Sequence, residues 1–244
     1  MRPIRKGNSP IIGNFAKYED AKEDLVGRLD LYCSYCERYI PTSLAIEHIE
    51  PKDGPYGQPH LATTWTNFLL ACTNCNSCKG RKQVNLNNLL FPDRDNTFDA
   101  YIYEDDGTIS CSSHLSLTQQ AMAENTLRLV GLDKLAANTC DSNGEFVALD
   151  RVRQRMEVIA TAQSCLNAFA DNPTDLIKNL IEKNALKIGF FSIWMKVFDA
   201  YPEMKLRFIN VFKGTANSGC FDLITGDCVT PAPNSDMLLG GGKV

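Results

Sequence analysis

The sequence predicts an α+β protein: a small zinc-stapled unit of two strands and a helix near the N-terminus, followed by a mainly helical C-terminal region. Three observations carry this expectation. Two Cys-x-x-Cys pairs, Cys33/Cys36 and Cys72/Cys75, bracket a short β-type run from Leu44 to Ile49. A second β-rich stretch, 100–111, is divided by Asp105-Asp106-Gly107, a sequence suited to a tight turn. Beyond Ser116 the apolar residues recur at helical spacing. The expected division is 1–95, holding an N-terminal arm, a helix and the zinc-bound module, and 96–244, holding the hairpin and the helical region.

Taken in order, residues 1–13 read as an extended arm, because Pro3, Gly7, Pro10 and Gly13 oppose a helix. From Asn14, a candidate cap, Phe15, Tyr18, Leu25, Leu29 and Tyr32 recur near helical spacing. Residues 37–49 are expected to form a hairpin turning at Pro41-Thr42-Ser43, with Trp65 and Phe68 in the core ahead of the second cysteine pair. Residues 83–99, rich in Asn, Asp and Pro, read as a connecting loop. Three helices are expected next: Ser116 to Val130, stopped by Gly131; about Phe146 to Ala170; and one beginning at Asn172-Pro173 with Leu176, Ile177, Leu180 and Ile181 on one face. The aromatic-dense stretch from Phe190 to Phe212 reads as core or interface, and the tail with Gly240-Gly241-Gly242 as flexible or docked on a partner. Arg151, Arg153 and Arg155 cannot all share one helix face, so they read as a solvated surface ahead of the alternative, a phosphate clamp.

Four cysteines in two such pairs suit zinc, since thiolates are soft donors and a two-residue spacer lets both face one metal. Zinc is favoured over disulfides because Gly7-Asn8-Ser9-Pro10 stands where a signal peptide would need an apolar core, which places the chain in the reducing cytoplasm. No apolar run reaches the length of a membrane span, so no membrane partner is expected. Cys75 and Cys78 also have ligand spacing, but Cys78 is taken as a spare thiol near the metal. Cys140, Cys165, Cys220 and Cys228 are expected to be buried and free. The pairs stand 35 residues apart, wider than the roughly 15–20 of a plain zinc ribbon, so the loop carries something more.

Within that loop lie Glu47, His48 and Asn67, and Asn76 follows the last cysteine directly. A carboxylate beside an imidazole suits phosphodiester hydrolysis, which needs a base and a cation to stabilise developing charge. Adjacent strand residues face opposite ways, so Glu47 and His48 can serve one site only where the strand end is distorted. The order Cys-x-x-Cys, Glu-His-Ile-x-Pro, Asn, Cys-x-x-Cys-Asn-x-x-Lys resembles the HNH endonucleases. That resemblance implies a ββα-metal module with His48 as general base and Asn67 orienting it. It also implies that Glu47 and Asn76 ligate magnesium or manganese while the four cysteines hold a structural Zn2+. Glu47 stands where the family usually has aspartate, and Asn76 where it often has histidine. His60 is a rival for a substrate or metal contact, and His114 reads as structural or exposed.

The formal net charge is -4, so any grip on phosphates must come from local clusters, namely Lys79, Arg81 and Lys82, and Arg2, Arg5 and Lys6. The opening Met1 to Lys6, the knuckle at Tyr32 to Glu37 and the run Glu47 to Lys52 are similar to the HNH effector nucleases of Septu and related retron antiphage systems. That similarity implies a separate ABC or SMC-like ATPase as partner, with 96–244 as the binding region. The alternatives are a non-catalytic zinc module that binds nucleic acid or protein, and a homing or restriction nuclease working alone.

Overall fold

The computed structural model describes residues 1–134 and 151–244. Strand β1 (Ala45–His48) pairs antiparallel with β2 (Phe68–Ala71), Ala45 opposite Ala71 and His48 opposite Phe68. Helix α2 (Thr73–Lys79) follows at once, with Cys72 as its N-cap. The expected hairpin turning at Pro41 to Ser43 does not form. Residues 32 and 39 make only an isolated bridge across the first cysteine knuckle, and the partner of β1 lies beyond the long loop 49–67. The physical reason is burial: all four β2 residues are buried, so this apolar strand takes the ladder, while Pro41 to Ser43 stay exposed.

The helix expected from Asn14 is shorter. A 3-10 turn at Tyr18–Ala21 leads into α1 (Lys22–Leu29), which ends where Asp30 adopts a positive φ. A second hairpin pairs β3 (Tyr101–Tyr103) with β4 (Ile109–Cys111). Asp106 accepts the Thr108 amide at 2.9 Å within the turn, while Asp105 pairs with Lys196 at 2.7 Å and ties the hairpin to the helical region. Helix α3 (Leu117–Val130) matches the expected span: Ser116 and Gln119 form a capping box, and Gly131 closes it in the left-handed conformation.

Helix α4 (Arg151–Asp171) covers the described part of the second expected helix; its expected start near Phe146 and Cys140 lie outside the described residues. Thr174 caps α5 (Asp175–Ile188), in which Ile181 is buried while Leu176 and Leu180 are exposed, so only part of the expected face packs. α6 (Phe191–Val197) and α7 (Pro202–Val211) carry the aromatic core, where Trp194, Phe198 and Phe208 are fully buried.

Three segments read as peripheral are internal. Met1, Arg2, Ile4 and Lys6 of the arm are buried. Arg2 donates to Lys213 O, Leu29 O and Thr215 Oγ1, Lys6 pairs with Asp93 at 2.9 Å, and Arg5 pairs with Asp236 at 2.7 Å. This basic cluster therefore holds the fold together instead of facing phosphates. Asp93 to Thr97, inside the expected connector, are buried polar residues on which arm and tail converge, since Gly242 donates to Arg94 O and Asn96 donates to Val244 O. The tail is docked on its own chain. Arg155 is also buried, donating to Gly107 O, whereas Cys228 is exposed and Cys165 half-buried. No helix among the described residues is long and apolar enough to cross a membrane.

Candidate active site and zinc centre

The first cysteine pair sits in a knuckle closed by Glu37 N to Cys33 O and Cys33 N to Arg38 O, with Ser34 N hydrogen-bonded to Leu70 O of β2. The second pair begins α2. All four cysteines are buried, and their Sγ atoms lie within 4.8 Å of one another. Cys36 and Cys72 are 3.7 Å apart, which suits the edge of about 3.8 Å that Zn–S bonds of about 2.3 Å require in a tetrahedron. Hydrogen bonds from the other three hold Cys72 well below the usual thiol range, while burial pushes Cys33 up. A hydrogen bond from Cys33 also lowers Cys36, and a divalent cation bound by the four sulfurs would stabilise their negative charge. Arg151 from α4 reaches Cys75 Sγ at 3.4 Å and Cys78 Sγ at 3.3 Å, so the arginine expected on a solvated surface faces the sulfur cluster. Cys78 is outside the four-sulfur group but shares the Arg151 guanidinium with Cys75.

Glu47 and His48, though adjacent in β1, both line one cleft of about 590 Å³, together with Asn76, Lys79 and Arg81. His48 ends the strand. Its ring is held edge-on between Tyr18, at 5.0 Å, and Phe68, at 5.3 Å between centroids. Nε2 lies 2.9 Å from Ala62 O. A carbonyl only accepts, so in the neutral ring Nε2 carries the proton and Nδ1 keeps its lone pair. Burial lowers the imidazole pKa against the opposing pull of that hydrogen bond, which favours this neutral form near pH 7.

Asn67 does not touch His48 by hydrogen bond but braces the loop that does. It accepts from Glu50 N at 2.8 Å and donates to Glu50 O at 3.0 Å and Leu61 O at 3.3 Å, next to Ala62. It therefore ties the residues on either side of the loop, Glu50 and Leu61, to each other. His60 lies on the far side of this loop in a different cleft, beside Asn67 and Arg94. His114 is exposed and bonded to Asp99 at 2.8 Å.

Glu47 is 2% exposed. Burial pushes its carboxyl up to about 6 against the charge of Lys79. Lys79 Nζ stands 2.8 Å from Glu47 Oε1 in a buried ion pair. Glu47 and Asn76 bring two oxygen donors to one cleft, a donor type that suits a hard divalent cation, with the Lys79 ammonium already against the carboxylate. Beyond the four cysteines, no group of three or more His, Cys, Asp or Glu residues gathers among the described residues. A cation here would rest on Glu47 and Asn76 with water and phosphate oxygens, the few-carboxylate coordination that magnesium accepts.

Of the expected phosphate contacts, Arg81 is exposed and paired with Asp53 at 2.6 Å, and Lys82 is exposed. Lys79 is not on that surface. It is buried, with its ammonium on Glu47 and donating to His48 O at 2.6 Å. Sequence reasoning missed this role. The signal was the helical offset of three between Asn76 and Lys79, which puts both on one face of α2. Tyr18 and the Ala62 carbonyl were also missed and have no local signature.

Residues 33–82 match the HNH endonuclease family. Over 145 aligned positions, covering 53% of this chain and 68% of the relative, the chain is 28% identical to a protein of Vibrio cholerae serotype O1 biovar El Tor. That relative is named as a candidate HNH endonuclease of retron Vc95. The chain thus carries an HNH endonuclease domain in residues 33–82.

Proposed function

We propose that the cleft hydrolyses phosphodiester bonds with His48 as general base, Glu47 and Asn76 as ligands of magnesium or manganese, and Asn67 holding the base in place. The observation that carries this reading is the fixed orientation of His48: Nε2 is tied to Ala62 O, so Nδ1 is the nitrogen left to accept a proton. A neutral imidazole in that tautomer takes a proton from water as the water attacks phosphorus. The divalent cation, when bound, stabilises negative charge on the phosphate and the leaving oxygen. Arg81 and Lys82, exposed at the end of α2, are placed to meet the phosphate backbone. The cysteine cluster holds zinc and sets β1, β2 and α2 in register.

The retron relative supports a place in antiphage defence, and the free thiols of the cysteine pairs suit the reducing cytoplasm. With a net charge of -4, an ATPase partner of ABC or SMC-like type would deliver the domain to nucleic acid through residues 96–244, where α5 exposes Leu176 and Leu180. The test is cleavage of plasmid DNA and total tRNA with magnesium or manganese, alone and with the co-expressed ATPase, comparing wild type with His48→Ala. Loss of cleavage in the variant, at unchanged zinc content, is the expected result. Equal behaviour of the two would favour the non-catalytic zinc module.

A further inference from the structure

The cleft contains one buried cation that the mechanism above leaves unused. Lys79 is 2% exposed at the C-terminal end of α2. Its ammonium lies 2.8 Å from Glu47 Oε1 and donates to His48 O at 2.6 Å. One side chain thus contacts both consecutive residues of the site, one through its carboxylate and the other through its backbone. A regular strand sends two neighbours to opposite faces, yet these two line the same cleft.

We propose that Lys79 is a positioning residue: by gripping the Glu47 carboxylate and the His48 carbonyl together it turns the end of β1 so that ligand and base serve one reacting phosphate. The inference rests on the nuclease reading of this cleft. Lys79 does not contact the substrate in this role. The cysteine cluster supports it from behind, since Cys75 lies one helical turn before Lys79 and Cys72 caps the helix, so α2 links the cluster to the end of β1.

A positioning lysine and a phosphate-binding lysine make different predictions. With Lys79→Met the expected result is a fall in kcat of at least about tenfold, because sub-ångström displacement of reacting groups carries penalties of that order. KM for a DNA duplex and its salt dependence stay unchanged. A phosphate contact would instead raise KM and reduce the salt slope by about one, with kcat preserved. Lys79→Arg, which keeps a charged donor, recovers part of the lost kcat. If kcat is untouched in Lys79→Met, or if KM alone changes, the proposal is overturned.

A second measurement reads the contact without turnover. An ammonium held between a carboxylate and a carbonyl exchanges slowly with water and gives a 15N–1H correlation for its Nζ. That signal is expected in the zinc-loaded wild type and should move or broaden in Glu47→Gln. Its absence, or its indifference to Glu47→Gln, refutes the geometry whether or not the protein cleaves nucleic acid. If wild type and His48→Ala cleave alike while this signal behaves as expected, the nuclease reading fails and the Lys79 contact stands as purely structural. Should Lys79→Met lose its zinc or its helical circular dichroism, Lys79→Arg and Lys79→Gln carry the same kinetic comparison.

Discussion

Replacing Asn67 by aspartate is the sharpest available test of how the base is held. The substitution preserves volume and the acceptor for Glu50 N at 2.8 Å but removes both donors, to Glu50 O at 3.0 Å and Leu61 O at 3.3 Å. Two lost hydrogen bonds are worth about 1 kcal/mol each, and an oxygen set against two carbonyls at a site only 4% exposed adds a desolvation cost of about 1–3 kcal/mol. A loss of roughly 3–5 kcal/mol in unfolding free energy follows. The consequence reaches His48 through the loop, because Leu61 precedes Ala62, whose carbonyl fixes Nε2. Release of the loop should lower kcat by about 10–100-fold even where the protein is fully folded. The assay is urea denaturation for stability, followed by cleavage kinetics at a temperature where wild type and variant are both native. If stability falls as stated and kcat does not, the argument that Asn67 orients the base through the loop is wrong.

Other expectations follow from the same contacts. Chelation of zinc, or Cys36→Ser, should unfold the module and release one zinc per chain, read by a metallochromic dye together with circular dichroism, because four buried sulfurs cannot carry their charge without the cation. Arg151→Leu should speed zinc release to a chelator while leaving the helical signal intact, since the guanidinium lies 3.4 Å from Cys75 Sγ. Asp93 supplies the acid limit of stability. Burial alone would push its carboxyl up, but the charges of Arg94 and Lys6 with their hydrogen bonds hold it down at about 2. A folded pKa below the unfolded value means the contribution, about 2 kcal/mol, is complete above pH ~4 and is lost as pH falls toward 2. Denaturation against pH should show that loss in wild type and not in Asp93→Asn. The variant should also be less stable at pH 7 by roughly 3–5 kcal/mol, since two buried cations lose their partner.

The features that rest on local chemistry were legible in the sequence. Cysteine spacing picks out the four thiols that gather within 4.8 Å of one another, because a two-residue spacer by itself turns two thiols to one point. Ser116 and Gly131 mark the ends of α3 because caps act within a turn, and Asp105-Asp106-Gly107 marks its own turn. The linear order of Glu47, His48, Asn67 and Asn76 named the candidate site without its geometry. Tertiary structure decided what pairs across distance. β1 takes β2 as its partner, past the loop 49–67, because the apolar Phe68 to Ala71 gain most from burial. Charged residues were the least legible: Arg2, Lys6 and Lys79 look in sequence like surface cations, and each is buried against a carboxylate or carbonyls that the chain brings from elsewhere. A charge tolerates burial only with a partner, and which partner is within reach is a property of the folded chain.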